Sequence, residues 1–358
     1  MNDILIIGGG IAGISAAAQL STIGKVTLLE AETSLGYHAS GRSAAAYIGD
    51  YGNETVRALN QASEGFLRHQ DGGVLSPLGM MILENGERVP EFLDEISSFK
   101  MYEMSPIEAQ EFCPIIDLSH VQRVGYQKDV FHLDADLMMQ RFRKSALSNG
   151  SNILTGATVT DIQFRSGKWH VHEGANTHSA DILVNAAGAW ADQIARLAGV
   201  QPKGLQPFRR SIARVPAPGD HDVSTWPFLH ATGEPWWAKP DAGKWIISPS
   251  EADPMDPFDA YADDMVIAEG LARYEPFVTE PITHVETTWA GLRTFAPDRS
   301  LIVGRDADNP QFVWAAGQGG YGFQTCFAVS QLLAELLDDQ APTLDNSTVT
   351  ALSPSRFA

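Results

Sequence analysis

The sequence predicts an α/β protein in two parts, one domain on a parallel sheet crossed by helices and a smaller one on a mainly antiparallel sheet. Three observations carry this. The chain opens on strand, glycine turn, helix and second strand within one βαβ unit. The alternation of strands and helices then breaks off twice and twice resumes. Finally, 358 residues with 44% hydrophobic content suit two cores better than one.

The apolar run Ile4-Leu5-Ile6-Ile7 reads as a buried strand leading into Gly8-Gly9-Gly10-Ile11-Ala12-Gly13 and a small-residue helix. Gly8, Gly10 and Gly13 have the spacing for the tight turn, backbone approach and close helix packing that a crossing over a pyrophosphate needs. The next strand, Lys25 to Leu29, ends on Glu30, where a carboxylate can hold an adenosine ribose. A glycine turn alone also serves merely to pack a helix; strand, turn, helix, strand and acid in this order favour a Rossmann-like dinucleotide site. Residues 4–20 are apolar enough to resemble a signal peptide or membrane span. Against that, Met1-Asn2-Asp3 carries no positive charge, glycines interrupt the run, and it is short for a bilayer, so the expectation is a soluble, cytoplasmic protein with no transmembrane segment.

A net charge of −19 disfavours nucleic acid and anionic membrane surfaces as partners, and no basic patch offsets it. The two cysteines, Cys113 and Cys326, form no CxxC pattern and read as buried free thiols in a reducing compartment.

After Glu30, the stretch Leu35 to Ala46 is rich in Gly, Ser and Ala. It offers amides, hydroxyls and the Arg42 guanidinium for a second anionic part of a dinucleotide, with small residues expected to run on into a helix; a plain surface loop is the alternative. Residues 52–70 read as an amphipathic helix, Gly79 to Leu83 as a strand and Val89 to Met101 as a helix. From residue 136 the first pattern returns: a helix to Ser148, strands at 152–154, 159–164 and 169–172, then a buried strand ending Asn185-Ala186-Ala187-Gly188 before helix 189–197. His170 and His172 share a strand face, but without a third ligand they read as solvent-facing residues, and no metal site is expected. Between Phe208 and Glu286, tryptophans among prolines and short strands suggest an antiparallel sheet that walls a pocket, although any one tryptophan reads as core. The closing section has strands at 300–304 and 312–316, then Gly317-Gln318-Gly319-Gly320-Tyr321-Gly322 opening helix 323–337. That second glycine turn points the positive end of a helix at negative charge. The division that results is a first domain of residues 1–71, 136–205 and 287–358 and a second of 72–135 and 206–286.

Taken together, the two glycine turns, His38-Ala39-Ser40-Gly41-Arg42-Ser43, Asn185 to Trp190 and Trp289-Ala290-Gly291-Leu292-Arg293 resemble the flavin amine oxidoreductases of the D-amino-acid oxidase family, and within it the bacterial D-arginine dehydrogenases. The resemblance spans nearly the whole chain. It implies a noncovalent FAD lying along Gly8, Gly10, Ala12, Gly13, Glu30, Ala31, His38, Ser40, Gly41, Arg42, Ser43, Ala44, Ala45, Ala46, Val159, Ala187, Gly188, Gly317, Gly319, Gly320, Tyr321 and Gly322. It further implies that Arg210 and Arg293 hold a substrate carboxylate, with Tyr51 closing over the substrate and Gln318 and Gly291 near the amine and the ring. Two planar guanidinium forks suit a carboxylate independently of the likeness. Arg209, pointing the other way along a strand, reads as structural.

The chain also departs from that pattern. Met80 replaces the acid that would pair with a cationic side chain, Ala46 replaces a histidine and Trp237 a tyrosine, and Phe228 and His230 replace aliphatic residues. These changes predict a more apolar, aromatic pocket in which D-arginine and D-lysine are poor substrates. The expected reaction is oxidation of a D-amino acid with an apolar or aromatic side chain to its imino acid, by hydride transfer from Cα to flavin N5, followed by hydrolysis to a 2-oxo acid and ammonia. Oxidation of a secondary amine such as an N-methyl amino acid, or of a 2-hydroxy acid, uses the same clamp and stands as the alternative; a non-catalytic flavin-binding subunit is a third. Oxygen, a quinone and another protein all stand as electron acceptors.

Overall fold

The computed structural model describes residues 2–357. Its first sheet has six strands in the order Ile302–Arg305, Phe312–Ala316, Ile182–Asn185, Asn2–Ile7, Gly24–Leu29 and Asn152–Leu154. All pairings are parallel except the edge pair 302–305 with 312–316. Asn2–Ile7 lies near the middle, and Ile4 to Ile7 are all buried, as a continuous apolar run demands where helices and strands cover both sheet faces. Helix Ile11–Leu20 packs on helices Ala135–Ser148 and Gly322–Leu337 over one face. A three-stranded meander of 159–165, 168–173 and 176–180 covers part of the other, with the fully buried Trp169 against Phe312. The carboxyl ends of the parallel strands, at Ile7, Leu29, Asn185 and Ala316, therefore open on one edge, where ligands of open α/β sheets bind.

A nine-stranded, mainly antiparallel sheet forms the second layer. Its one parallel pairing, Phe228–Ala231 beside Met80–Glu84, joins the two separate stretches of chain into one sheet. Strand Thr287–Phe295, which the sequence assigns to the first domain, pairs with Gln206–Val215 along nine positions and so belongs to this second sheet. A smaller sheet of 46–48, 130–133 and 75–77 bridges the layers. Here too the structure corrects an expectation: the small residues after Leu35 do not run into a helix. They form a single 3-10 turn at Ala39–Arg42 and then strand Ala46–Ile48. Both cysteines are buried and free. His170 and His172 lie near Ser179 and Thr177 across the meander.

Candidate active site

One cavity of about 820 Å³ runs from the first glycine turn to the second sheet. That is toward the upper end of the range of roughly 300–1,000 Å³ usual for small-molecule sites. At one end lie Gly8, Gly10, Ala12, Glu30 and Ala31, and His38, Ser40, Arg42, Ser43, Val159, Ala187 and Gly188 follow. Ala44, Ala45, Ala46, Gly291, Gln318, Gly319, Gly320 and Gly322 line its middle, and Tyr51, Met80, Arg210, Phe228, His230, Trp237 and Arg293 its far end.

Four residues expected to touch cofactor do not border the cavity: Gly13, Gly41, Gly317 and Tyr321. They shape it instead. A Cβ at Gly13 would sit 1.8 Å from the Gly8 carbonyl oxygen, so only glycine lets the helix approach the turn. Tyr321 packs edge-on to Tyr51, and burial pushes its phenol up to about 12.

At the nucleotide end, both Glu30 oxygens already accept hydrogen bonds, from Gly9 N–H at 2.5 Å and Glu32 N–H at 2.8 Å. The carboxylate thus fixes the turn, while its remaining lone pairs face the cavity. Ser40 Oγ accepts from Ile11 N–H at 2.9 Å, which ties the second loop to the helix start. Arg42 is engaged differently from expectation. It forms an ion pair with Asp259 and donates to the carbonyl oxygens of Ala260 at 2.7 Å and Ala290 at 3.1 Å, so it clasps the 255–263 loop rather than presenting a free cation. His38 pairs with Glu32 at 3.0 Å.

The sheet register explains the arginine pair. Arg210 stands opposite Gly291, and Arg293 is two residues along the same strand, so the two guanidinium groups are diagonal neighbours on one face. Arg209 points away to Asp253 at 2.9 Å, as alternation requires. Arg210 Nη1 donates to Glu234 at 3.1 Å and Arg293 Nη2 to the Tyr51 hydroxyl at 2.9 Å, while Nε of each is buried with no partner. Burial, helped by Arg293, lowers the Arg210 pKa; at Arg293 burial acts in the same sense, but Tyr51 and Glu234 outweigh it and raise the pKa. The Tyr51 loop is held by the fully buried Asn60, whose side-chain N–H groups donate to the carbonyl oxygens of Gly49 and Tyr51, each at 3.1 Å. Gln318 turns its amide to the Ala315 carbonyl at 2.9 Å.

Met80, Phe228, His230 and Trp237 form a cross-strand set, with the Phe228 and Trp237 rings stacked at 5.4 Å. The wall is aromatic, as the sequence predicts, and it also carries two acids from other elements, Glu95 and Glu234. Their sequence surroundings look like ordinary surface positions, and nothing in the spacing announces them. Phe99, Ile212 and Phe258 line it too, and only the aromatic content of 208–286 hinted at the last of these; Trp190, from the Asn185 to Trp190 motif, also borders the cavity.

The residues fit FAD. The helix that starts at Ile11 and the one that starts at Gly322 both lack a side-chain cap of their own, both starts border the cavity, and the volume between them is elongated and mostly apolar.

Comparison with known proteins agrees. Mouse mitochondrial sarcosine dehydrogenase is 22% identical over 96% of this chain, which spans only 40% of that protein. Glycine oxidase of Bacillus licheniformis is 23% identical over 94% of this chain and 92% of its own. Among solved structures, L-proline dehydrogenase from P. horikoshii superposes with a TM-score of 0.85 at 21% identity, covering 99% of this chain and 97% of the other. These proteins are named for sarcosine, glycine and L-proline, so they do not carry the narrower likeness to D-arginine dehydrogenases. Residues 3–336 match the family described as DAO, FAD dependent oxidoreductase. The chain therefore belongs to that family of FAD-dependent oxidoreductases, with FAD for its cofactor.

Proposed function

We propose that the protein oxidises a secondary amine, an α-amino acid substituted on nitrogen, whose carboxylate is held by Arg210 and Arg293. The observation that carries this is the diagonal arginine pair at the end of the cofactor cavity, with both Nε groups lacking a protein acceptor. A carboxylate offers two oxygens to these forks. Names of the relatives support the nitrogen class, since sarcosine and proline are both secondary amines.

Bound FAD supplies the two-electron acceptor for the hydride of the carbon next to nitrogen. The chain's part is positional. Arg210 and Arg293 fix the carboxylate, Tyr51 stands over Arg293 on a loop stapled by Asn60, and Phe228 and Trp237 exclude water from the arm. With the amine neutral, loss of hydride leaves an iminium that water hydrolyses to an amine and a carbonyl compound. Oxidation of a D-amino acid with an apolar side chain is the second reading, favoured by the same aromatic wall. Turnover with an artificial acceptor separates them: sarcosine, L-proline and N-methylated amino acids are expected to outrun D-Phe, D-Met and D-Leu, and the reverse order overturns the proposal.

A further inference from the structure

Beyond the arginines, the cavity ends in hydrogen-bond acceptors that no donor among the described residues satisfies. Helix Val89–Ser98 brings Glu95, and the turn after strand Phe228–Ala231 brings Glu234, to the recess that contains His230. Glu95 Oε1 accepts from Gly233 N–H at 2.8 Å, but Oε2 is buried with no partner. His230 is only 5% exposed. Its Nδ1 lies 3.0 Å from the Ala231 carbonyl oxygen, which can only accept. Nδ1 of the neutral ring therefore carries the proton, and Nε2 is left as an unpartnered acceptor. Glu234 commits one oxygen to Arg210 at 3.1 Å. The turn itself is pinned, because Arg88 donates to the Thr232 carbonyl at 2.9 Å while Glu95 holds Gly233.

We propose that this recess is a subsite for a protonated amine on the far arm of the substrate, with Glu95 and His230 Nε2 accepting its hydrogen bonds and Phe99, Phe228 and Trp237 enclosing the arm. The inference rests on the carboxylate lying at Arg210 and Arg293. Charge balance favours a cation over a neutral donor. A substrate carboxylate and Glu234 together neutralise the two arginines, which leaves Glu95 without a fixed counter-charge. Burial pushes the Glu95 carboxyl above its usual range, and with a neutral His230 no charged side chain among the described residues stands within ion-pair distance of it. An ammonium group supplies both the missing donors and the missing charge. In this arrangement Glu95, from another element, takes the part of the acid absent at Met80, and a cationic arm is accepted.

The test is equilibrium binding to the holoenzyme by calorimetry. The ligands are 6-aminohexanoate and its homologues one carbon shorter and longer, each paired with the alkanoate of equal length. None has an amine beside the carboxylate, so binding is read apart from the reaction. At the best length the amino ligand is expected to bind about tenfold tighter than its alkanoate. The ratio should fall towards one in Glu95→Gln, which can still accept from Gly233 N–H. The proposal is overturned if alkanoates bind as tightly at every length, if the preference survives both Glu95→Gln and His230→Phe, or if no carboxylate binds. An amine preference in a holoenzyme that no N-substituted amino acid reduces sinks the proposed reaction and upholds the subsite.

Discussion

Arg293 owes its place to a neighbour that has no side chain. A Cβ on Gly320 would lie 2.2 Å from the Arg293 guanidinium, and no rotation of a methyl group relieves that. Gly320→Ala should therefore displace one arm of the clamp and raise KM for a carboxylate substrate about tenfold, a loss of positioning rather than of folding. Steady-state kinetics beside a melting curve checks both halves. Lys239 makes a different prediction. It is 3% exposed, its amine has no hydrogen bond among the described residues, and burial lowers that amine to about 8. In the unfolded chain the same amine titrates near 10.4. Between these values the unfolded state binds more protons, so stability rises with pH across about 8 to 10 and the cost of burying the charge is fully present below. Lys239→Met should raise Tm at neutral pH, with the gain shrinking above pH 8; a gain independent of pH would argue against a buried charge.

Among the elements, the 255–263 loop has no partner strand for most of its length, and Arg42 clasps it over the cavity through Asp259 and the Ala260 carbonyl, with Tyr37 also donating to Asp259 and Gln206 to the Met255 carbonyl. Asp259→Asn removes the charge from that clasp and should speed FAD loss several-fold, read as flavin fluorescence appearing on dilution. Elements with a strong local period were legible: Ile4 to Ile7 and the helices Ile11–Leu20 and Gly322–Leu337 lie within a few residues of where apolar run and glycine spacing place them, although the first helix starts inside its glycine turn and takes Gly13 into it. The partners of Arg42 and the acids of the pocket were not. Glu95 sits on an amphipathic helix where a glutamate normally faces water, and its place in the pocket shows only in a non-local contact, its bond to Gly233. Strand 287–295 was misplaced for the same reason, because a sheet register is a non-local fact.

At the scale of the molecule, a parallel sheet presents its carboxyl edge to one side of an antiparallel sheet, and the long cavity between them joins a dinucleotide turn to a carboxylate clamp. The opening glycines announced the first of these partners, and the arginines, spaced only by their register, supply the second. No helix among the described residues is long and apolar enough to cross a membrane. The central claim is that the substrate nitrogen is secondary and its carboxylate lies on Arg210 and Arg293. Anaerobic mixing of the holoenzyme with matched pairs, each an amino acid and its N-methyl derivative in both enantiomers, tests it by the loss of the visible flavin band. Bleaching is expected to be faster with the N-methyl member and to be abolished in the Arg210→Ala, Arg293→Ala double variant; faster bleaching by the primary D-amino acids would contradict a secondary-amine substrate.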